Sequence, residues 1–296
     1  MHRRALLALP LAVALAGCDM SLHNLTGRAT DEWTRTYPLA AGGEIRIGNT
    51  NGRVEIEGVD GSTVEVRAER IARAATDAGA QELLPRIVIK EDVRPDRIAI
   101  ETQRMNGVMI GARFEVRYYV KAPKNATVDV SNTNGTVLLT RLGGRVTART
   151  TNGAVQTKEL TGSVEARTTN GSVNADVASV GAERIALSTT NGSVTLNVPD
   201  TAKADISATW TNGGIRVADD LNIDVSERGR RRFEARMNGG GTPIELHTTN
   251  GGIRIRNRSD RAPSETEDAD DAPPDGKAPR APRPPKPPRD PQGERR

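Results

Sequence analysis

The sequence predicts an all-β chain whose main part winds as a β-solenoid or β-roll of about 18–21 residues per coil, and three observations carry that expectation. Thr-Asn-Gly occurs seven times, with its asparagine at Asn51, Asn134, Asn152, Asn170, Asn191, Asn212 and Asn250, at steps of 83, 18, 18, 21, 21 and 38 residues. The regular steps define a unit of roughly twenty residues, so the first step reads as about four units and the last as about two. Apolar residues keep fixed offsets around each asparagine. Only 2% of the 296 residues are aromatic, so the core must be built from aliphatic side chains that stack in columns.

Taken from the N-terminus, Met1-His2-Arg3-Arg4 leads into an apolar run from Ala5 to Leu15 and then Ala16-Gly17-Cys18. A basic start, about a dozen apolar residues and a small-residue exit read as a secretory leader over 1–17, too short for a permanent membrane helix. Leu15-Ala16-Gly17-Cys18 resembles the lipobox of bacterial lipoproteins, which implies lipidation of Cys18, the chain's one cysteine, and attachment to a membrane facing the periplasm or exterior. Acyl chains at about 0.8 kcal/mol per buried methylene would make that attachment stable. An ordinary cleaved leader with a chance cysteine is the alternative. Asp19 resembles the inner-membrane retention signal of enterobacterial lipoproteins, and residues 18–40 read as anchor and linker.

Residues 41–126 form an irregular β-rich half, with strands expected near 44–48, 53–57, 63–71, 86–91, 97–102 and 113–121. Between Arg73 and Leu84 an Ala-rich stretch with Thr76 and Asp77 as caps predicts one or two helical turns before Pro85. This half is expected to cap the coil, whose ends would otherwise expose unpaired edges.

Residues 127–258 hold the regular repeats. Six residues before each asparagine stand Ile45, Val128, Val146, Val164, Ile185, Ile206 and Ile244; four before stand Ile47, Val130, Ala148, Ala166, Leu187, Ala208 and Leu246. Three after it come Val54, Val137, Val155, Val173, Val194, Ile215 and Ile253; five after come Ile56, Leu139, Thr157, Ala175, Leu196, Val217 and Ile255. Alternation on both sides of a turn means two half-buried strands per unit. The turn itself is assigned to the asparagines and to Gly52, Gly135, Gly153, Gly171, Gly192, Gly213 and Gly251. Asn-Gly is a strong hairpin signal, so an antiparallel meander or sandwich is the alternative fold. Recurrence of identical residues at a fixed offset favours stacked coils, with the asparagines hydrogen-bonded as a ladder. Leu142 and Leu160 supply a third inward face.

The stretch Ala218–Gly241 is irregular and places Arg228 and Arg230–Arg232 beside Phe233, a small basic patch. Residues 259–296 gather acidic side chains first and then alternate basic residues with proline, a composition expected to be disordered.

Chemistry is sparse. A lone cysteine and three histidines, His2, His23 and His247, supply no catalytic triad or metal cluster, and no cofactor is expected. A net charge of +4 from 42 basic and 38 acidic residues implies no nucleic-acid partner. Glu165, Arg149 and Arg167 share outward columns and are the material for a glycan-active β-helix site, although those columns are not consistently charged. Repeated threonines suggest an ice-binding face, which Arg149, Arg167 and Trp210 interrupt.

Residues 40–257, and most specifically Val-Thr-Ala-Arg-Thr-Thr-Asn-Gly-Ala-Val at 146–155 echoed at 164–173, resemble the bacterial putative adhesin family known as domain of unknown function 4097. That resemblance implies a β-solenoid-like domain on exported or membrane-attached proteins, without established catalytic residues. The resulting expectation is a non-enzymatic, lipid-anchored envelope protein whose repeats bind a protein or polysaccharide, or a scaffold in the envelope-stress response that acts through protein partners.

Overall fold

A computed structural model describes residues 25–103, 111–181 and 183–260. The leader, Cys18 and the tail from residue 261 lie outside the described residues.

The N-terminal half comprises β1 (Gly27–Pro38), β2 (Glu44–Gly48), β3 (Val54–Val59), β4 (Thr63–Ala74), helix α1 (Asp77–Leu83), β5 (Ile89–Arg94), β6 (Arg97–Thr102) and β7 (Ala112–Pro123). The repeats supply β8 (Thr127–Asn134), β9 (Val137–Thr140), β10 (Val146–Asn152), β11 (Val155–Leu160), β12 (Val164–Asn170), β13 (Val173–Val177), β14 (Ile185–Asn191) and β15 (Val194–Val198). They continue as β16 (Ala204–Val217), β17 (Ile223–Arg228), β18 (Arg232–Met237) and β19 (Thr242–Asn257). In β16 and β19 the strand runs through Thr-Asn-Gly and serves both sides of the turn.

Successive coils stack in parallel and in register, so the solenoid reading holds and the antiparallel meander does not. Val146 faces Val164 and Val128, and Asn152 faces Asn170 and Asn134. On one side of the coil the order is β6, β2, β8, β10, β12, β14, β19, β16; on the other it is β7, β3, β9, β11, β13, β15, β19, β16. Most column residues are fully buried, including Val146, Ala148, Val155 and Val173. Leu142 and Leu160, both inaccessible, close the third side. Columns of Val, Ile, Leu and Ala therefore form one continuous core.

Two expectations about spacing are corrected. The 83-residue first step does not hold intervening coils, because Asn51 bridges directly to Asn134. It holds one further tier, β6 and β7, on the outer side of the first coil, together with antiparallel arms: β4 on β7, β1 on β4 and β5 on β6. Nor does the 38-residue step hold two stacked units. After β16 the chain turns back through the hairpin β17–β18, with β18 antiparallel to β16, and β19 then enters between β14/β15 and β16. The last coil in sequence is thus the last but one in space. At the first end β5 and β4 cover β6 and β7, and at the last end β18 covers the first half of β16, Ala204–Thr209, edges that would otherwise be open.

A third correction concerns the linker. Residues 27–38 form β1, which pairs with β4 over its whole length, from Gly27 opposite Ala74 to Pro38 opposite Thr63. Being an outer strand, β1 buries little beyond Ala29, Tyr37 and part of Trp33, so it lacks the apolar alternation that marks inner strands. The expected helix is α1: Thr76 Oγ1 accepts from Gly79 N at 3.1 Å, and Asp77 Oδ1 accepts from Arg28 N at 3.0 Å, which ties the helix to β1.

Candidate functional site: the threonine-asparagine ridge

The seven Thr-Asn-Gly turns lie at one corner of the coil. Spatial order there is Asn51, Asn134, Asn152, Asn170, Asn191, Asn250, Asn212, and each amide donates from Nδ2 to Oδ1 of the one before it. The six distances are 2.7, 2.7, 2.9, 2.8, 2.8 and 2.7 Å. All six bonds run in one direction, so the amide dipoles add and polarise one another. Each amide still has one N–H and one lone pair that the ladder does not use. Except for the half-buried Asn51, these asparagines are exposed.

A closing feature of each turn is its glycine. Gly153, Gly171, Gly192, Gly213 and Gly251 have φ from +148° to +153°, whereas none of the ladder asparagines is left-handed, so the turns are not the hairpins that Asn-Gly suggests. At Gly171 a Cβ would lie 2.1 Å from the carbonyl oxygen of Gly153 in the coil below. Backbone conformation and the close approach of the neighbouring coil both demand glycine there.

The two residues before the asparagine divide by parity. The first faces inward: Thr150, Thr168, Thr189 and Thr248 are buried, and their hydroxyls donate to the turn-glycine carbonyls of the adjacent coil, Gly135, Gly153, Gly171 and Gly192, at 2.8–3.3 Å. In the earlier coils asparagine does this work: Asn132 Nδ2 donates to Gly52 O at 2.9 Å and Asn49 Nδ2 to Val116 O at 2.9 Å. Sequence reasoning missed this inner polar column because a polar residue in an alternating pattern reads as outward. The doubled Thr-Thr before Asn-Gly was the available signal. Asn49 ends the column in a buried cluster, where its Oδ1 accepts from Thr102 Oγ1 at 3.1 Å and that hydroxyl lies 2.7 Å from Tyr118 Oη. Burial pushes the Tyr118 phenol up to about 12.

The second residue faces outward. Thr151, Thr169, Thr190 and Thr211 are exposed and Thr50, Thr133 and Thr249 half-buried. Threonine and asparagine thus form a double row of hydroxyls and amides, repeated at about 4.8 Å over six intervals, roughly 29 Å in all.

Beside this ridge, Arg149 pairs with Glu165 and stands opposite Arg167 across the sheet, a stretch of surface charge. Arg149 lies 2.9 Å from Glu165 and 3.7 Å from Asp129, and Arg167 donates to Ser188 Oγ at 3.1 Å. His247 Nδ1 shares a hydrogen bond with Thr209 Oγ1 at 2.9 Å. Among the described residues no group of three His, Cys, Asp or Glu side chains could hold a metal ion. In the basic stretch, Phe233 is buried under the coil end and Arg228 lies 5.8 Å above its ring.

Several solved structures are similar in outline. One described as a putative cell adhesion protein from Clostridium sporogenes is 11% identical, with 77% of this chain and all of that chain covered at a TM-score of 0.41. A putative adhesin from Bacteroides fragilis is 11% identical over 77% of this chain and 97% of that one, at 0.37. A putative lipid binding protein from Parabacteroides distasonis is 12% identical over 76% and 96%, at 0.27. No curated protein sequence matches the chain. Residues 124–256, from just before β8 to the end of β19, match the family described as Toastrack DUF4097. The stacked coils from β8 to β19 occupy that matched span and have the β-solenoid-like form.

Proposed function

We propose that this chain is a non-enzymatic, lipid-anchored protein of the bacterial cell envelope, and that the threonine-asparagine ridge is its binding surface for an envelope protein or polysaccharide. The observation that supports this most directly is the ridge itself. Seven equivalent hydroxyl and amide pairs in register offer a periodic partner the same hydrogen bonds at every tier, which suits an extended polymer or strand. The outward threonines are not needed for stacking, since the inner threonines and the amide ladder perform that role. Among the described residues no helix is long and apolar enough to cross a membrane. Attachment is proposed through the lipid on Cys18 that the lipobox resemblance of Leu15-Ala16-Gly17-Cys18 implies.

The test has two arms. Cys18→Ser is expected to move the protein from the membrane fraction to the soluble fraction after a high-salt wash, and continued membrane attachment would contradict the anchor. The soluble chain from residue 19 is expected to co-sediment with purified envelope fragments, and Thr151→Ala, Thr169→Ala and Thr190→Ala together to reduce that binding while leaving the fold intact. Equal sedimentation of the triple variant would remove the ridge from the account. Recovery instead in a defined membrane complex through another surface would make the protein a scaffold.

A further inference from the structure

At the far end of the coil from β1 the outward columns change character. Two residues after the asparagine the inner coils carry Thr136, Ala154, Ser172 and Ser193, but the last two tiers carry Gly252 and Gly214, which face each other. Nothing steric requires glycine at these positions: a Cβ on Gly214 would have no atom within 4 Å, and one on Gly252 would come no closer than 3.8 Å to its nearest neighbour. The bare backbone leaves a recess of about 220 Å³ lined by Gly214, Ile215, Arg216, Gly252, Ile253 and Arg254.

Four residues after the asparagine the inner coils carry Leu138, Gln156, Asn174 and Thr195, and the last two tiers carry Arg254 and Arg216, directly paired across the sheet. Arg256 follows on the same outward face of β19, beside Asn197. Among the described residues no carboxylate lies within ion-pair distance of Arg216, Arg254 or Arg256, and the flanking Thr195 and Asn197 are neutral. The nearest acidic residues in sequence, Asp219 and Asp220, lie in the next loop, where Asp220 accepts from Asn257 at 2.6 Å. Like charges placed opposite each other on a sheet repel. The tip of β17–β18 adds Arg228, Arg230 and Arg231 at this same end, held there by Trp210 N donating to Arg231 O at 3.1 Å.

We infer that this coil end is a binding site for a linear polysaccharide bearing carboxylate groups, held by Arg216, Arg254 and Arg256 over the glycine recess. The three arginines start from backbone positions about 4.8 Å apart across the sheet and about 6.6 Å apart along the strand, a row of positive charge that a chain of anions can follow. Arginine offers each carboxylate a planar pair of donors, and the recess lets a sugar ring approach the strand backbone. Nucleic acid fits poorly, because Trp210 and Phe233, the large rings at this end, are buried and cannot stack on bases. The site adjoins the last two tiers of the threonine-asparagine ridge but shares no residue with it, so either can fail without the other.

Polygalacturonate, with a carboxylate on each sugar, is the probe, neutral dextran the control, and titration calorimetry at low and high salt the measurement. The soluble chain from residue 19 is expected to bind polygalacturonate and not dextran, with affinity falling as salt rises. Arg216→Ser, Arg254→Ser and Arg256→Ser together are expected to weaken binding about tenfold or more. Gly214→Leu, which fills the recess and leaves every charge in place, is expected to weaken it as well, while the triple threonine variant of the ridge binds as the unaltered chain does. Circular dichroism establishes that each variant is folded. Unchanged affinity in the arginine variant, or equal binding of dextran, would overturn the site. Binding to vesicles containing phosphatidylglycerol without binding to polygalacturonate would also overturn it and assign the cluster to a lipid surface.

Discussion

Replacing Gly171 by alanine tests the stacking at its tightest point. The added Cβ would sit 2.1 Å from Gly153 O and 2.6 Å from its carbon, so the two coils must part by about 1 Å to reach ordinary contact. The tier is held by Gly153 N to Asn170 O at 2.9 Å, Val155 N to Ser172 O at 3.0 Å and the amide pair Asn170–Asn152 at 2.9 Å. Stretching these by that much breaks two or three bonds, each contributing about 1 kcal/mol. The φ of +148° adds strain of about 1–3 kcal/mol for a residue with a side chain. The expected loss is about 3–6 kcal/mol, read as a lower urea midpoint. Gly214→Ala is the internal control. Its Cβ meets nothing within 4 Å, and replacing a strand glycine by alanine should stabilise by about 0.5–1 kcal/mol. If Gly171→Ala were as stable as Gly214→Ala, the close stacking of turn glycines would be refuted.

The inner and outer threonines should respond differently to the same change. Thr168→Val, which removes the 2.8 Å donor to Gly153 O, should cost about 1–2 kcal/mol in urea unfolding, and the exposed Thr169→Val should stay within about 0.5 kcal/mol of the parent. Leu160→Ala, at a fully buried position on the third side of the coil, should cost about 2–5 kcal/mol by the same measurement. Tyr118 sets an alkaline limit. Its phenol ionises near 10 in the unfolded chain and near 12 in the folded one, so its contribution is complete below pH 10 and is lost as pH rises to 12, about 2–3 kcal/mol in total. Tyr118→Phe should flatten the dependence of the urea midpoint on pH across that window, and an identical pH profile would contradict the burial of the hydroxyl.

What the sequence reveals and what it hides have physical causes. Column positions such as Val146, Ala148, Val155 and Ala175 are legible because a stacked coil repeats its buried parity at every tier. Thr168 and its equivalents belong to the same inward set but are polar, and only the neighbouring coil's glycine carbonyl explains them. Strand β1 is hidden because an outer strand contacts one neighbour and needs few apolar residues. The order of the last two tiers is hidden too. A step of 38 residues has the length of two units, and nothing local tells a chain to pass one place, form β17 and β18, and return as β19. The arginine cluster suffers most from this, since Arg216 and Arg254 are 38 residues apart and become neighbours because β16 and β19 stack directly, with no coil between them.

Parallel stacking in register underlies the ridge, the inner threonine column and the paired arginines alike, and a designed cross-link tests it most directly. Arg149 and Arg167 are partners on adjacent parallel strands, β10 and β12, and both point outward. Their backbones lie about 4.8–5.5 Å apart, within the span that a disulfide bridges. In a Cys18→Ser chain, Arg149→Cys with Arg167→Cys should form an intramolecular disulfide under mild oxidation, seen by mass spectrometry of the tryptic peptides. Arg149→Cys with Ser188→Cys, two tiers apart, should remain reduced. Failure of the first pair to close, or equal closure of the second, would contradict the stacked coil.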